Sequence, residues 1–131
     1  MMNEILLSLH PQYWDLIKSG KKTIEIRKSK PQTMLPSRVF VYITGGIGVA
    51  GCFDCEQITQ SSPEYFTSDF CKGDTCLTLE ELQEYAAGKS LFGWHVKPGS
   101  VTEYESPIEL QRMGISYPPQ SWRYLKKDDA E

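Results

Sequence analysis

Apolar positions in this chain come in short stretches separated by turn residues, and the period changes from one stretch to the next. Residues 4–9, Glu-Ile-Leu-Leu-Ser-Leu, are too short and too apolar for a surface helix and predict a mostly buried first strand. His10-Pro11 then opens a helix, because proline suits the first helical position. Tyr13, Trp14, Leu16 and Ile17 give that helix one apolar side, and Gly20 supplies its stop. From Lys21 the period shortens to two: Ile24 and Ile26 fall on one strand face, Thr23, Glu25 and Arg27 on the other.

Pro31 and Pro36 oppose regular structure, so residues 30–36 read as a loop. The β-branched and aromatic run 39–44, a Gly45-Gly46 turn and a long returning strand over 47–58 make an antiparallel hairpin. Ser61-Ser62-Pro63 starts a helical or irregular segment over 63–70. Thr78 followed three residues later by Glu81 has the spacing of a capping box, and Leu79, Leu82, Tyr85 and Ala86 form the inner side of a helix ending at Gly88. Strands follow at 91–96, with Phe92, Trp94 and Val96 opposite His95, and at 101–104, with a short edge at 107–110. The last element spans 120–125. Short strands interrupted by two or three helices, joined by both hairpins and long connections, predict an α+β fold with a curved or closed sheet. Residues 1–125 form a single domain in this reading, and 126–131 a charged, frayed tail.

A chain of 131 residues, 40% hydrophobic and 24% charged, is long enough for its own core. No apolar run reaches the length of a membrane span or a signal-peptide core, which predicts a cytoplasmic protein with no membrane partner. A net charge of -3 argues against tight nonspecific binding to long nucleic acid, since lysine and arginine supply most of that affinity. Yet Lys18, Lys21, Lys22, Arg27, Lys28 and Lys30 crowd into one short segment. Such local concentration favours a small anionic or nucleotide ligand over a duplex.

The segment 21–28, Lys-Lys-Thr-Ile-Glu-Ile-Arg-Lys, is therefore the leading candidate surface. Two readings stand: a solvated strand face, with Lys18, Lys21 and Lys22 complementing the helix dipole, or a row of hydroxyl, carboxylate and guanidinium converging on one polar ligand. Cys52-x2-Cys55 and Cys71-x4-Cys76 approach a zinc-ribbon spacing. Cys52 and Cys55, three apart on a strand, point to opposite faces and have no turn between them, so no metal is assigned. The glycines at 45, 46, 48 and 51 make no phosphate loop, and no cofactor motif is present. His10 reads as a helix-entry residue, His95 as pointing outward from its strand.

Three stretches resemble the ASCH family, small proteins with a PUA-like β-barrel. These are Ile5-Leu-Leu-Ser-Leu-His-Pro-Gln-Tyr-Trp14, the Gly20-x-Lys22-x-x-Glu25-x-Arg27 signature, and Pro118-Pro-Gln-Ser-Trp-Arg-Tyr124, in that order. The resemblance implies a cleft beside the barrel, lined by the signature and suited to single-stranded RNA or a nucleotide-like ligand. Ligand contacts would then come from Lys21, Lys22, Thr23, Glu25, Arg27, Trp122 and Arg123. Lys22 would act as a point charge for phosphate, and Arg27 as a planar fork for phosphate or a base edge. Trp122 and Tyr124 either stack on a base or close the core, with core favoured for Tyr124. A related branch of bacterial amidohydrolases deacylates N4-acetylcytidine with a threonine nucleophile, a lysine and a glutamate. The lysine and glutamate fall on Lys22 and Glu81, whereas the nucleophile's position is Glu25, so an enzyme here would work through Lys22, Glu25 and Glu81. A ribonuclease using the same cleft is a further alternative.

Overall fold

The computed structural model describes residues 2–32 and 35–125. Strands β1 (Asn3–Leu9), β2 (Ile24–Arg27), β3 (Ser37–Ile43), β4 (Gly48–Ser61), β5 (Leu91–Val96), β6 (Thr102–Ile108) and β7 (Trp122–Tyr124) form one sheet, with helices α1 (Pro11–Lys18), α2 (Pro63–Phe66) and α3 (Leu79–Ala86) beside it. The class is α+β, as the mixed pattern implied. Strand order runs β2-β5-β4-β3-β1-β7, with β6 branching from β4, so the sheet is curved but not closed.

Curvature comes from β4. Its first half pairs with β3, its second half with β5, and β6 takes the other edge of the first half. Register shifts at Val41/Tyr42 and between Cys55 and Gln57 are the irregularities that let one strand of 14 residues turn from one neighbour to the next. The expected β3-β4 hairpin is present, extending three residues beyond the predicted end. β1 pairs with β3 in parallel, which a period-two pattern cannot reveal, because α1 and β2 intervene between them. The two predicted pieces over 101–110 are one strand, β6, followed by a 3₁₀ turn at Leu110–Met113.

The main core gathers Ile5, Leu7, Leu9, Trp14, Ile17, Val39, Val41, Phe53 and Trp94, so the apolar side of α1 lies on β1, β3 and β5. A second cluster joins Ile24 and Ile26 of β2 to Phe66, Leu82, Ala86 and Leu91, and clamps α2 and α3 onto β2. That clamp fixes the distance between the signature strand and α3. Gly93 of β5 makes it possible: a Cβ there would lie 2.6 Å from Phe66 and 2.8 Å from Ile24. Tyr124, expected in the core, is exposed at the rim, where its hydroxyl accepts from the Gln32 backbone N–H. Because β7 has only three residues and, among the described residues, no strand beyond it, its outer positions stay in contact with water. The predicted charged tail and part of the proline loop lie outside the described residues.

Candidate functional site

Glu25 is the centre of the site. The strand period puts it opposite Ile24 and Ile26, but that polar face does not meet solvent: Glu25 is only 4% exposed and Lys22 only 1%. Two ionisable groups so deeply buried demand partners. Glu25 Oε2 accepts from Arg27 Nε at 2.8 Å and is ion-paired with Arg27 Nη2 at 2.7 Å, while Oε1 lies 3.7 Å from Lys22 Nζ. The solvated-face reading of this strand is therefore overturned.

The remaining donors of the two cations are also held. Arg27 Nη2 donates to the Ser8 carbonyl at 2.9 Å, and Nη1 to Ser121 Oγ at 3.1 Å. Three of the five guanidinium N–H groups thus donate to protein acceptors, and Nη2 is also ion-paired with Glu25. Lys22 Nζ donates to the Thr75 carbonyl. Burial pushes the Lys22 amine below its ordinary range, and the neighbouring Glu25 carboxylate opposes that shift. Tyr13 adds a ring whose centroid is 5.2 Å from the ammonium.

This cluster forms one wall of a cavity of about 540 Å³. Ser8, His10, Tyr13 and Thr44 come from the β1-α1 side, and Leu77, Glu81, Leu82, Glu84 and Tyr85 from α3 and the residues before it. The α3 contribution follows from helical spacing, since Glu81, Glu84 and Tyr85 are three and four residues apart and share one side. The predicted capping box exists in both directions, Glu81 N–H to Thr78 Oγ1 at 3.1 Å and Thr78 N–H to Glu81 Oε1 at 2.9 Å. The Thr78 backbone N–H, then its hydroxyl, with a smaller contribution from Lys22, hold the Glu81 carboxyl below the usual carboxylate range.

Of the residues singled out in the sequence, Lys22, Glu25, Arg27 and Glu81 line this cavity together. Thr23, one residue before β2 begins, instead lines a second hollow with Gln57, His95 and Lys97, which Lys22 also borders. His95 in that hollow is bonded through Nε2 to Thr59 Oγ1 at 2.9 Å, and burial lowers its pKa. Trp122 packs edge-on against Trp94, 5.7 Å between centroids, and donates to Ser29 Oγ at 2.9 Å. It belongs to the margin of the core. Arg123 donates to the Tyr124 carbonyl at 3.1 Å, and Lys21 is exposed at the end of α1.

Sequence reasoning missed Tyr13, Thr44, Glu84, Tyr85 and Gln120 as lining residues. Only the helix side shared with Glu81 could have pointed to Glu84 and Tyr85. His10 Nδ1 lies 3.1 Å from Thr44 Oγ1, a contact across 34 residues with no local signal. Among the described residues no three His, Cys, Asp or Glu groups are arranged to hold a metal ion, and all four cysteines are free thiols. No helix among those residues is long and apolar enough to cross a membrane.

Comparison with known proteins agrees with this architecture. An ASCH domain-containing ribonuclease from Zymomonas mobilis is 25% identical over 131 residues, spanning 98% of this chain and 88% of its own. The crystal structure of ASCH from Zymomonas mobilis superposes with a TM-score of 0.78 at 27% identity, covering 95% of this chain and 89% of that one. A tyrosine-to-phenylalanine variant of the same protein gives the same TM-score at 26% identity, over 95% of this chain and 91% of that one. The family model for the ASCH domain matches residues 7–112, from β1 through the 3₁₀ turn after β6 and so including the whole Lys22–Glu25–Arg27 cluster, and the chain belongs to that family.

Proposed function

We propose that this ASCH domain binds single-stranded RNA or a nucleotide-like ligand in the cavity walled by Lys22, Glu25 and Arg27. The observation that carries the reading is the buried ion cluster opening onto a space of about 540 Å³, large enough for a nucleoside-sized group. Buried charges cost stability unless they are fully partnered, and a fold retains such a cluster most readily where it shapes a site. The Zymomonas relative named a ribonuclease adds that RNA is a ligand class compatible with this fold. Tyr13 and Tyr85 offer ring faces at the cavity, and the Lys28 ammonium sits 4.6 Å from the Tyr85 centroid, at a position fit for a backbone phosphate.

The test is titration of short labelled oligoribonucleotides against Tyr85→Leu and Lys28→Ala, two exposed positions whose replacement leaves the core intact. Loss of one stacked base costs about 1 to 3 kcal/mol, so Tyr85→Leu should weaken binding roughly 5- to 150-fold. Unchanged affinity in both variants, with unchanged circular dichroism, would remove the cavity as the binding site.

A second reading, RNA cleavage, is favoured by the relative's name and by one contact. The Thr44 hydroxyl fixes His10 through Nδ1, beside a cavity that also holds Lys22, giving an imidazole for proton transfer near a cation. Amide hydrolysis on an N4-acylated cytidine has less support. Glu25 is engaged by Arg27, and Thr23, the hydroxyl next to it on the signature, lines the other hollow. A fluorogenic oligonucleotide and N4-acetylcytidine, assayed in parallel, distinguish these reactions from passive binding.

A further inference from the structure

We infer that the cavity receives an uncharged, amine-bearing nucleobase and that phosphate is held outside it. The inference rests on the reading above and narrows it. Its basis is the charge and hydrogen-bond inventory of the cavity wall. Two cations, Lys22 and Arg27, face three carboxylates, Glu25, Glu81 and Glu84. Without a bound ligand the wall is already acidic rather than basic.

Neither cation is available in the way a phosphate site requires. Arg27 donates three N–H groups to Glu25, Ser8 and Ser121 and is ion-paired with Glu25 through Nη2, so the two-pronged Nε/Nη2 face that would clamp phosphate is already turned to a carboxylate. Lys22 is bonded to Thr75 and paired with Glu25. An entering phosphate would have to break these bonds while approaching Glu81 and Glu84. A neutral base meets neither penalty.

The unspent capacity is on the acceptor side. Glu84 has no protein partner among the hydrogen bonds and ion pairs of the described residues, and Glu81 uses Oε1 in the capping box, which leaves Oε2. Both are on the cavity side of α3, next to the Tyr85 ring. Carboxylates accept from exocyclic amines, as of cytosine, adenine or guanine, and reject the carbonyl edge of uracil. Phosphates of a longer strand would then track the rim, where Lys28 stands over Tyr85.

The test uses cytidine, uridine, cytidine 5'-monophosphate and inorganic phosphate with the intact chain, read by calorimetry or ligand-observed NMR. Cytidine should bind more tightly than uridine, inorganic phosphate should not displace it, and Glu84→Gln should weaken cytidine about fivefold or more. A phosphate pocket predicts the opposite sign, since removing a repelling carboxylate strengthens anion binding. Displacement of cytidine by phosphate, or tighter binding of the monophosphate by Glu84→Gln, overturns the inference. If short RNA binds in a Tyr85-dependent way while no nucleoside binds, the inference fails and the RNA reading stands. If RNA affinity ignores Tyr85 and Lys28, both fail.

Discussion

Glu25 and Arg27, two residues apart on β2, close on each other at one carboxylate oxygen, through a hydrogen bond from Nε at 2.8 Å and an ion-pair contact with Nη2 at 2.7 Å, and thereby lock the strand that walls the cavity. Side chains at i and i+2 of a strand point the same way, so the pair needs no distortion to meet. Lys22 joins from the turn before the strand, and the three charges share one buried space with a single anion among them.

Replacing that anion should be severe. Glu25→Gln leaves the buried Lys22 and the partly buried Arg27 with no counter-charge, a change of the kind that costs about 3 to 5 kcal/mol. The expected result is a large drop in urea midpoint with little change in slope, and a further fall in the Lys22 pKa. A loss under 1 kcal/mol would mean that water already screens the cluster.

The signature's residues were legible in the sequence, but their environment was not. Period two correctly grouped Glu25 and Arg27, yet it says nothing about what faces a strand. Here α3 is brought opposite β2 by Phe66 and Leu82, more than 35 residues downstream, and their packing turns a polar strand face into a cavity wall. The capping box at Thr78 and Glu81 was readable because both partners lie within one turn. The parallel β1-β3 pairing and the His10-Thr44 contact depend on chain crossings that leave no local trace.

Gly93 tests the clamp directly. Gly93→Ala forces a Cβ to within 2.6 Å of the Phe66 ring and 2.8 Å of Ile24, side chains that are themselves buried and have little room to retreat. Overpacking of this kind costs about 1 to 3 kcal/mol. The melting temperature should fall, and short-RNA affinity should fall with it because α3 is pushed away from β2. Stability loss with full affinity would separate the clamp from the site.

Alkaline pH should expose Cys55. Its thiol is buried on β4, and burial pushes its pKa from 9.0 up to about 11. The folded state keeps its proton where the unfolded thiol has lost it, so stability is fully present below pH 9 and falls as pH rises from 9 to 11. Two pKa units correspond to about 2 to 3 kcal/mol at most. Lys22 has the opposite sign, because its lowered pKa makes the fold gain as pH rises toward 10.5. Comparing Cys55→Val with the native chain across this range isolates the thiol. The native chain should lose more stability than the variant, and equal slopes would show that the thiol ionises freely in the fold.

His10 offers the sharpest separation of cleavage from binding. It caps the start of α1 without a side-chain capping bond, so its ring is not needed to hold the helix. Its Nδ1 instead meets Thr44 Oγ1 at the cavity. If the chain cleaves RNA with the imidazole as proton carrier, His10→Ala should reduce turnover by two or more orders of magnitude, about the size of a general acid-base contribution, with little change in substrate affinity. His10→Gln, which can still bond Thr44, should not rescue the rate, because an amide cannot exchange the proton. Thr44→Val should give an intermediate loss by freeing the ring. Full activity in His10→Ala would assign any cleavage to another ionisable group of the same cavity, among them Lys22, Glu81 and Glu84.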